Sequence, residues 1–380
     1  MAGSPSGLIA GPPHGLIERF EEKFRKSPDL FRAPGRVNLI GEHTDYNAGL
    51  VLPIAIELAC YAAAAPNRDS MLRVHSRNLG LAGEWPVASL THLTQQHDWT
   101  DYIVGIAREM RLERGYDLMV ESTVPLGSGL SSSAALEVST AMALGWKGEL
   151  PSLQLALLCQ RAENSFLGIP CGIMDQYASI FGCEGSGVKL DCRSLQSEQV
   201  QLPSGIALVA VNSRVQHALA QSAYRARVEE CAAAAAAMGV KTLRDARLSQ
   251  LRLITDGRLQ RRARHVLSEN HRVVSFVAAA EEGDPRDMGR WMIESHRSLR
   301  DDYEVSCSEV DFLVDTAIGV EGVWGARMTG GGFGGCTINL MEPSQVEEFE
   351  QILSREYYGA FGLEPLFYRV TAAGGAAKIS

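Results

Sequence analysis

No stretch of this 380-residue chain is apolar for the roughly 20 residues that a membrane-spanning helix requires. The eight cysteines include no C-x-x-C pair and no cysteine–histidine spacing of a zinc site, which argues against a structural metal and a disulfide framework. Positive charge is short: 36 Lys and Arg against 45 Asp and Glu leave a net charge of −9, the wrong sign for a protein that lives on a phosphate backbone. The densest basic run, Arg258 to Arg264, reads as the wet face of a helix. No secretory leader pattern opens the chain, so a soluble protein of a reducing cytoplasm is expected, with neither nucleic acid nor membrane as partner. Residues 1–14, rich in Gly, Pro, Ser and Ala, are expected to form a loose tail.

What is present is most concentrated at Pro125-Leu126-Gly127-Ser128-Gly129-Leu130-Ser131-Ser132-Ser133-Ala134-Ala135. It follows a strand-like run, Asp117 to Val124, and opens into a helical pattern, Ala134 to Leu144. Glycines allow a tight turn with its N–H groups close to a ligand, and the positive end of the following helix favours an anion there. Three serines add hydroxyls for phosphate oxygens or a metal. A plain Gly/Ser turn that caps a helix fits the same residues. A Walker-type loop does not, because no Gly-Lys-Ser/Thr follows.

Two further stretches are unusual. Glu42, His43 and Asp45 lie in a turn flanked by Gly41 and Gly49. Carboxylates with a histidine supply both acceptors and donors, as a polyhydroxylated ligand needs. Met328-Thr329-Gly330-Gly331-Gly332-Phe333-Gly334-Gly335-Cys336 carries more glycine than a hairpin needs, so it is expected to lie against the first loop and shape its ligand end. Asp175 stands in an apolar, glycine-interrupted segment, where an aspartate either caps a helix or does chemistry. Glu163 lies near the end of a helix expected over 151–167, where its charge opposes the helix dipole.

Taken in order, Gly35-Arg36-Val37-Asn38-Leu39-Ile40-Gly41-Glu42-His43-Thr44-Asp45-Tyr46, the 125–135 loop and the 328–336 loop resemble the three motifs of the GHMP small-molecule kinases, and the first resembles the signature of the galactokinase branch. The likeness runs from about Phe31 to the last strand. It implies an α+β GHMP kinase fold: an N-terminal ribosomal-protein-S5-like domain over 1–202 and a C-terminal ferredoxin-like domain with extra helices over 203–380, with the active site between them. It implies transfer of the γ-phosphoryl of ATP to the anomeric hydroxyl of D-galactose, with Mg²⁺. It assigns the proton acceptor to Asp175 and transition-state charge to Arg36. Sugar contacts fall to Glu42, His43, Thr44, Asp45, Gly172 and Tyr224. Nucleotide contacts fall to Gly127, Ser128, Gly129, Leu130, Ser131, Ser132 and Ser133, with Trp99 and Ser76 at the adenine end. Ser133 and Glu163 would hold the metal. A monomer is expected. A kinase of N-acetylgalactosamine or another sugar is the near alternative, and a non-catalytic galactose/ATP sensor the distant one; the complete Ser131–Ala135 run favours an enzyme.

Elsewhere, hydrophobic spacing predicts a helix over 15–26, strands over 50–66 and 71–75, and a second half that runs strand (206–211), helix (216–238), further helices, strands (323–328 and 336–341), helix (345–358) and strand (366–371).

Overall fold

Strand Asp29–Asn38 is bulged at its middle: its pairing with Pro53–Pro66 shifts register between Pro34 and Arg36. The bulge re-aims the strand end that carries Arg36. Gly35 sits at the shift because there is no room for a side chain. A Cβ there would lie 2.5 Å from the Leu130 carbonyl oxygen, and the Arg36 N–H donates to that same oxygen at 3.1 Å. The phosphate-loop candidate is thereby fastened to the strand. The computed structural model describes residues 15–216 and 220–380. The expected tail over 1–14 and residues 217–219 fall outside the described residues; the helix expected from about 216 is described as Ala220–Ala237, after a strand that runs to Gln216.

The strand belongs to a six-stranded sheet in the order Ala377–Lys378, Asp29–Asn38, Pro53–Pro66, Tyr116–Ser122, Met71–Ser76, Leu81–Pro86, with one parallel pair, Met71–Ser76 with Tyr116–Ser122. Helices Ser132–Ala143 and Met174–Phe181 pack on its central strands. The long strand Pro53–Pro66 is buried almost throughout, which is why it reads as an apolar run rather than an alternation. A three-stranded sheet, Leu50–Val51, Ser186–Asp191 and Gln196–Gln201, flanks it.

The second half builds an antiparallel four-stranded sheet in the order Val323–Thr329, Gly334–Met341, Ala207–Gln216, Leu366–Val370. Ser308–Ala317 and Val346–Phe361 share a core with this sheet, built on Val209, Val211, Leu313 and Phe349. Pro285–Ser298 packs on Val323–Thr329, and the long helix Gly257–Glu282 packs on Pro285–Ser298.

Two expectations need correction. The helix over 151–167 is an α-helix only from Leu153 to Arg161 and continues as a wider π-type turn, Ala162–Phe166, which contains Glu163. The division at 202/203 is crossed again later: Ala377–Lys378 pairs with Phe31 and Arg32 and so belongs to the first sheet. Among the described residues no helix is long and apolar enough to cross a membrane.

Candidate active site

Asp175 is the second residue of helix Met174–Phe181, whose N-cap position is Ile173 with no side-chain cap. The helix-capping reading of Asp175 therefore falls. Its carboxylate instead meets Arg36: Nε donates to Oδ1 at 2.9 Å and Nη2 to Oδ2 at 2.7 Å. This is the two-pronged geometry that makes arginine–carboxylate pairs strong and directional. The Arg36 Nη1 donates to the Gly129 carbonyl at 2.6 Å, and the Ser131 hydroxyl donates to Asp175 Oδ2. Burial works against the charge of Arg36, but Asp175, Glu42 and Asp45 outweigh it and raise its pKa.

Ser131 adopts a left-handed backbone (φ 60°) at the N-cap of Ser132–Ala143, and its hydroxyl goes to Asp175 rather than to the helix. The N-cap side chain therefore leaves the positive end of this helix uncapped. The 330–335 loop closes over the same place. A Cβ on Gly330 would lie 3.1 Å from the Gly129 carbonyl oxygen, and one on Gly335 3.3 Å from that of Ser128. The two glycine-rich loops face each other as the sequence leads one to expect.

The turn after Asn38 is gripped from the second half. The Glu42 carboxylate accepts from the Gly330 N–H at 2.8 Å and the Thr329 hydroxyl at 3.2 Å. Fully buried Arg327 stands 3.6 Å from the same Oε1. Burial raises the pKa of Glu42, opposed by Arg327 and Arg36. Glu269 accepts the Gly41 N–H at 3.0 Å, and His265 meets the Glu42 carbonyl at 3.1 Å. Burial disfavours the Glu269 charge, yet Arg272, His265 and Arg327 prevail and hold its pKa at about 2.

His43 is buried, and burial, with His265 and Arg227 nearby, lowers its pKa to about 3, so its ring is neutral. Asp45 is raised to about 7, first by burial and then by the charge of Asp175. Its carboxyl fills the space a side chain on Gly172 would take: a Cβ there would lie 1.9 Å from Asp45 Oδ2. Gly172 thus makes room for Asp45. Tyr224 arrives from helix Ala220–Ala237 with its ring 5.6 Å from His43. Thr44 is buried, and its Oγ lies 2.8 Å from the Gly41 carbonyl and 2.6 Å from that of Leu50, contacts that close the turn.

Glu163, also buried, accepts from Gln176 Nε2 at 2.7 Å and from Cys171 Sγ at 3.2 Å. Gln176 donates as well to the fully buried Glu137 at 3.0 Å. Burial raises both carboxyls, and Glu137 keeps one oxygen without a partner. Two buried carboxyls on one amide form a site short of positive charge, and hard oxygen donors suit Mg²⁺. The residues fit a metal completed by phosphate oxygens. Among the described residues no cluster of three His, Cys, Asp or Glu would hold an ion alone.

Trp99 precedes helix Thr100–Glu109 and packs partly against the core. Ser76 ends strand Met71–Ser76, is buried, and accepts the Leu79 N–H at 3.3 Å, a local turn contact. Sequence reasoning missed Arg327, Glu137, Gln176 and Tyr303, which bear on this site from buried positions outside its assigned residues. Gln176, next to Asp175, had a signal in its neighbour; Tyr303 and Arg327 had none.

Three family models match the chain: the galactokinase galactose-binding signature over residues 18–66, the GHMP kinases N-terminal domain over 101–183 and the GHMP kinases C-terminal domain over 276–359. A galactokinase from Roseiflexus sp. (strain RS-1) is 43% identical, with 96% of each chain covered. The galactokinase of Homo sapiens is 43% identical, with 94% of each covered. The crystal structure of Lactococcus lactis galactokinase complexed with galactose superposes with a TM-score of 0.91 at 33% identity, covering 96% of this chain and 99% of that one. A Methanococcus jannaschii mevalonate kinase, 17% identical with a TM-score of 0.67, shares the fold.

Proposed function

Because the chain belongs to the galactokinase family of GHMP kinases, enzymes that phosphorylate galactose with ATP, we propose that Asp175 and Arg36 carry the chemistry of that reaction at the anomeric hydroxyl. The observation that bears the reading is the Arg36–Asp175 pair, tied on one side to the phosphate loop through Gly129 and Ser131. Asp175 takes the proton of the sugar 1-hydroxyl as its oxygen attacks the γ-phosphorus and the bond to the ADP oxygen breaks, giving α-D-galactose 1-phosphate and ADP. Arg36 holds that carboxylate in one orientation and keeps a fixed positive charge beside it. Phosphoryl transfer through a loose transition state needs positioning and charge neutralisation above all.

The backbone of Gly127, Ser128, Gly129, Leu130, Ser131, Ser132 and Ser133 and the uncapped end of helix Ser132–Ala143 receive the phosphates. Mg²⁺, when bound, neutralises phosphate charge; Ser133 and Glu163 are the protein oxygens that would hold it. Glu42, His43, Asp45 and Tyr224 grip the sugar, and Trp99 with Ser76 takes the adenine end. A cytoplasmic monomer belongs to the same proposal; the eight unpaired cysteines support a reducing compartment.

The test is ATP-dependent phosphorylation across galactose, galactosamine, N-acetylgalactosamine, glucose and mannose. Galactose should lead and glucose should be poor, because a 4-hydroxyl turned the wrong way leaves buried polar groups unpaired. Comparable kcat/KM on glucose or N-acetylgalactosamine refutes the assigned sugar grip.

A further inference from the structure

His43 sits at the end of a string of polar atoms that begins in the second half of the chain. Its Nδ1 lies 2.8 Å from Tyr46 Oη, and Tyr46 Oη lies 2.7 Å from Tyr303 Oη. Tyr303 Oη in turn lies 3.0 Å from Cys231 Sγ. Tyr303 is fully buried at the end of the π-type turn Leu299–Tyr303, and its carbonyl accepts from Arg227 Nε at 2.8 Å. Its ring packs 4.8 Å from His43 and 4.5 Å from His265, centroid to centroid. The other ring nitrogen of His43, Nε2, is buried and has no hydrogen-bond partner among the described residues.

A neutral imidazole carries one proton, and the bond made at one nitrogen decides which nitrogen holds it. We propose that Tyr303 and Tyr46 are positioning residues for sugar recognition: they fix the tautomer of His43 so that Nε2–H is presented as a donor to a sugar hydroxyl oxygen. The string is polarised toward the ring. Tyr303 donates to Tyr46, and Tyr46 donates to Nδ1. An unprotonated imidazole nitrogen is the strongest neutral acceptor in the string and a phenol its best neutral donor, whereas the thiol at the far end is weak in both roles. Burial keeps both phenols protonated, and in a low-dielectric interior each bond in such a chain strengthens the next. A buried N–H left unmade is costly, and a ligand oxygen removes that cost.

The inference rests on the reading of His43 as a sugar contact, and the experiment separates the two. In full-length ¹⁵N-labelled protein without ligand, two-bond proton–nitrogen spectra, assigned with His43→Gln, should show Nδ1 unprotonated and Nε2 protonated. A protonated Nδ1 overturns the polarity. Tyr303→Phe removes one oxygen and keeps the ring. It should mix the two tautomers and raise the galactose KM roughly five- to tenfold, with the ATP KM changed less than about twofold. An unchanged galactose KM overturns the positioning role, and so does an equal rise in both KM values with a lowered Tm. In a His43→Gln background Tyr303→Phe should add nothing; a further, additive loss overturns transmission through His43. If His43→Gln leaves galactose affinity intact, the sugar role of His43 fails, while the tautomer spectra still decide the string.

Discussion

Arg36 holds both oxygens of Asp175 from 139 positions away in the sequence, Nε to Oδ1 at 2.9 Å and Nη2 to Oδ2 at 2.7 Å. The pair joins strand Asp29–Asn38 of the first sheet to a helix start, and the phosphate loop is bonded to both members. An ion pair this well made has two consequences for a substitution at Asp175. It removes a proton acceptor, and it leaves a buried guanidinium without its partner. Asp175→Asn should lower kcat at least about 10²-fold, with galactose still bound. Stability should fall too, by less than the roughly 3–5 kcal/mol of a fully buried broken pair, because the Asp175 side chain is 29% exposed. Steady-state kinetics and a melting curve on one preparation check both. A near-normal kcat with a lowered Tm would leave Asp175 a structural residue.

Glu163→Gln keeps the shape of a side chain that shares Gln176 with Glu137, while removing the charge offered to a metal. The Mg²⁺ concentration for half-maximal rate should rise about tenfold or more, and the galactose KM should stay within about twofold. Calorimetry of Mg²⁺–nucleotide binding gives the same comparison without turnover. An unchanged Mg²⁺ dependence removes Glu163 from the metal site.

Asp45 makes folding stability depend on pH. Its folded pKa of about 7 lies above the ordinary value of 3.8. Between those values the unfolded chain gives up a proton that the folded chain retains, so stability declines as pH climbs through that window and stays lower above it. Asn has no such proton. Relative to the parent, Asp45→Asn should gain more Tm at about pH 8 than at about pH 4. A pH-independent difference in Tm would mean that Asp45 is ionised normally.

Gly172→Ala tests the packing of the sugar turn. The new methyl would occupy the place of the Asp45 carboxyl, which would have to shift. The galactose KM should rise about tenfold or more with the ATP KM nearly unchanged. Parallel losses in both substrates would point to general misfolding instead.

How far the sequence could be read follows from where each contact lies. The phosphate loop, the Glu42–Asp45 turn and the second glycine loop are local, and each announces itself in a dozen residues. Tyr224 looks like an ordinary helix position, so only likeness to a family drew it in, and Glu163 stood out only by opposing a helix dipole. The Arg36–Asp175 pair, a two-body contact across the chain, gives no periodicity at either end. Tyr303 and Arg327 are polar side chains in segments that otherwise read as helix and strand. Their burial is decided by tertiary packing, which propensity does not encode. Thr44 sits inside the sugar motif, and only the fold shows that its hydroxyl serves the turn. Strands such as Leu81–Pro86 escaped notice because an exposed edge carries little apolar alternation.

The strand that carries Arg36 has its outer edge closed by Ala377–Lys378, and the Leu30 N–H donates to the Ser380 carbonyl at 2.9 Å. Synthesis on the ribosome proceeds from the N-terminus, so more than three hundred residues must emerge before that edge finds its partner. During that interval the nascent first sheet presents an open strand capable of pairing with another chain. Yield in the cell should therefore respond to chaperone supply, and to changes at residues 377–380, more than the melting temperature of the finished enzyme does.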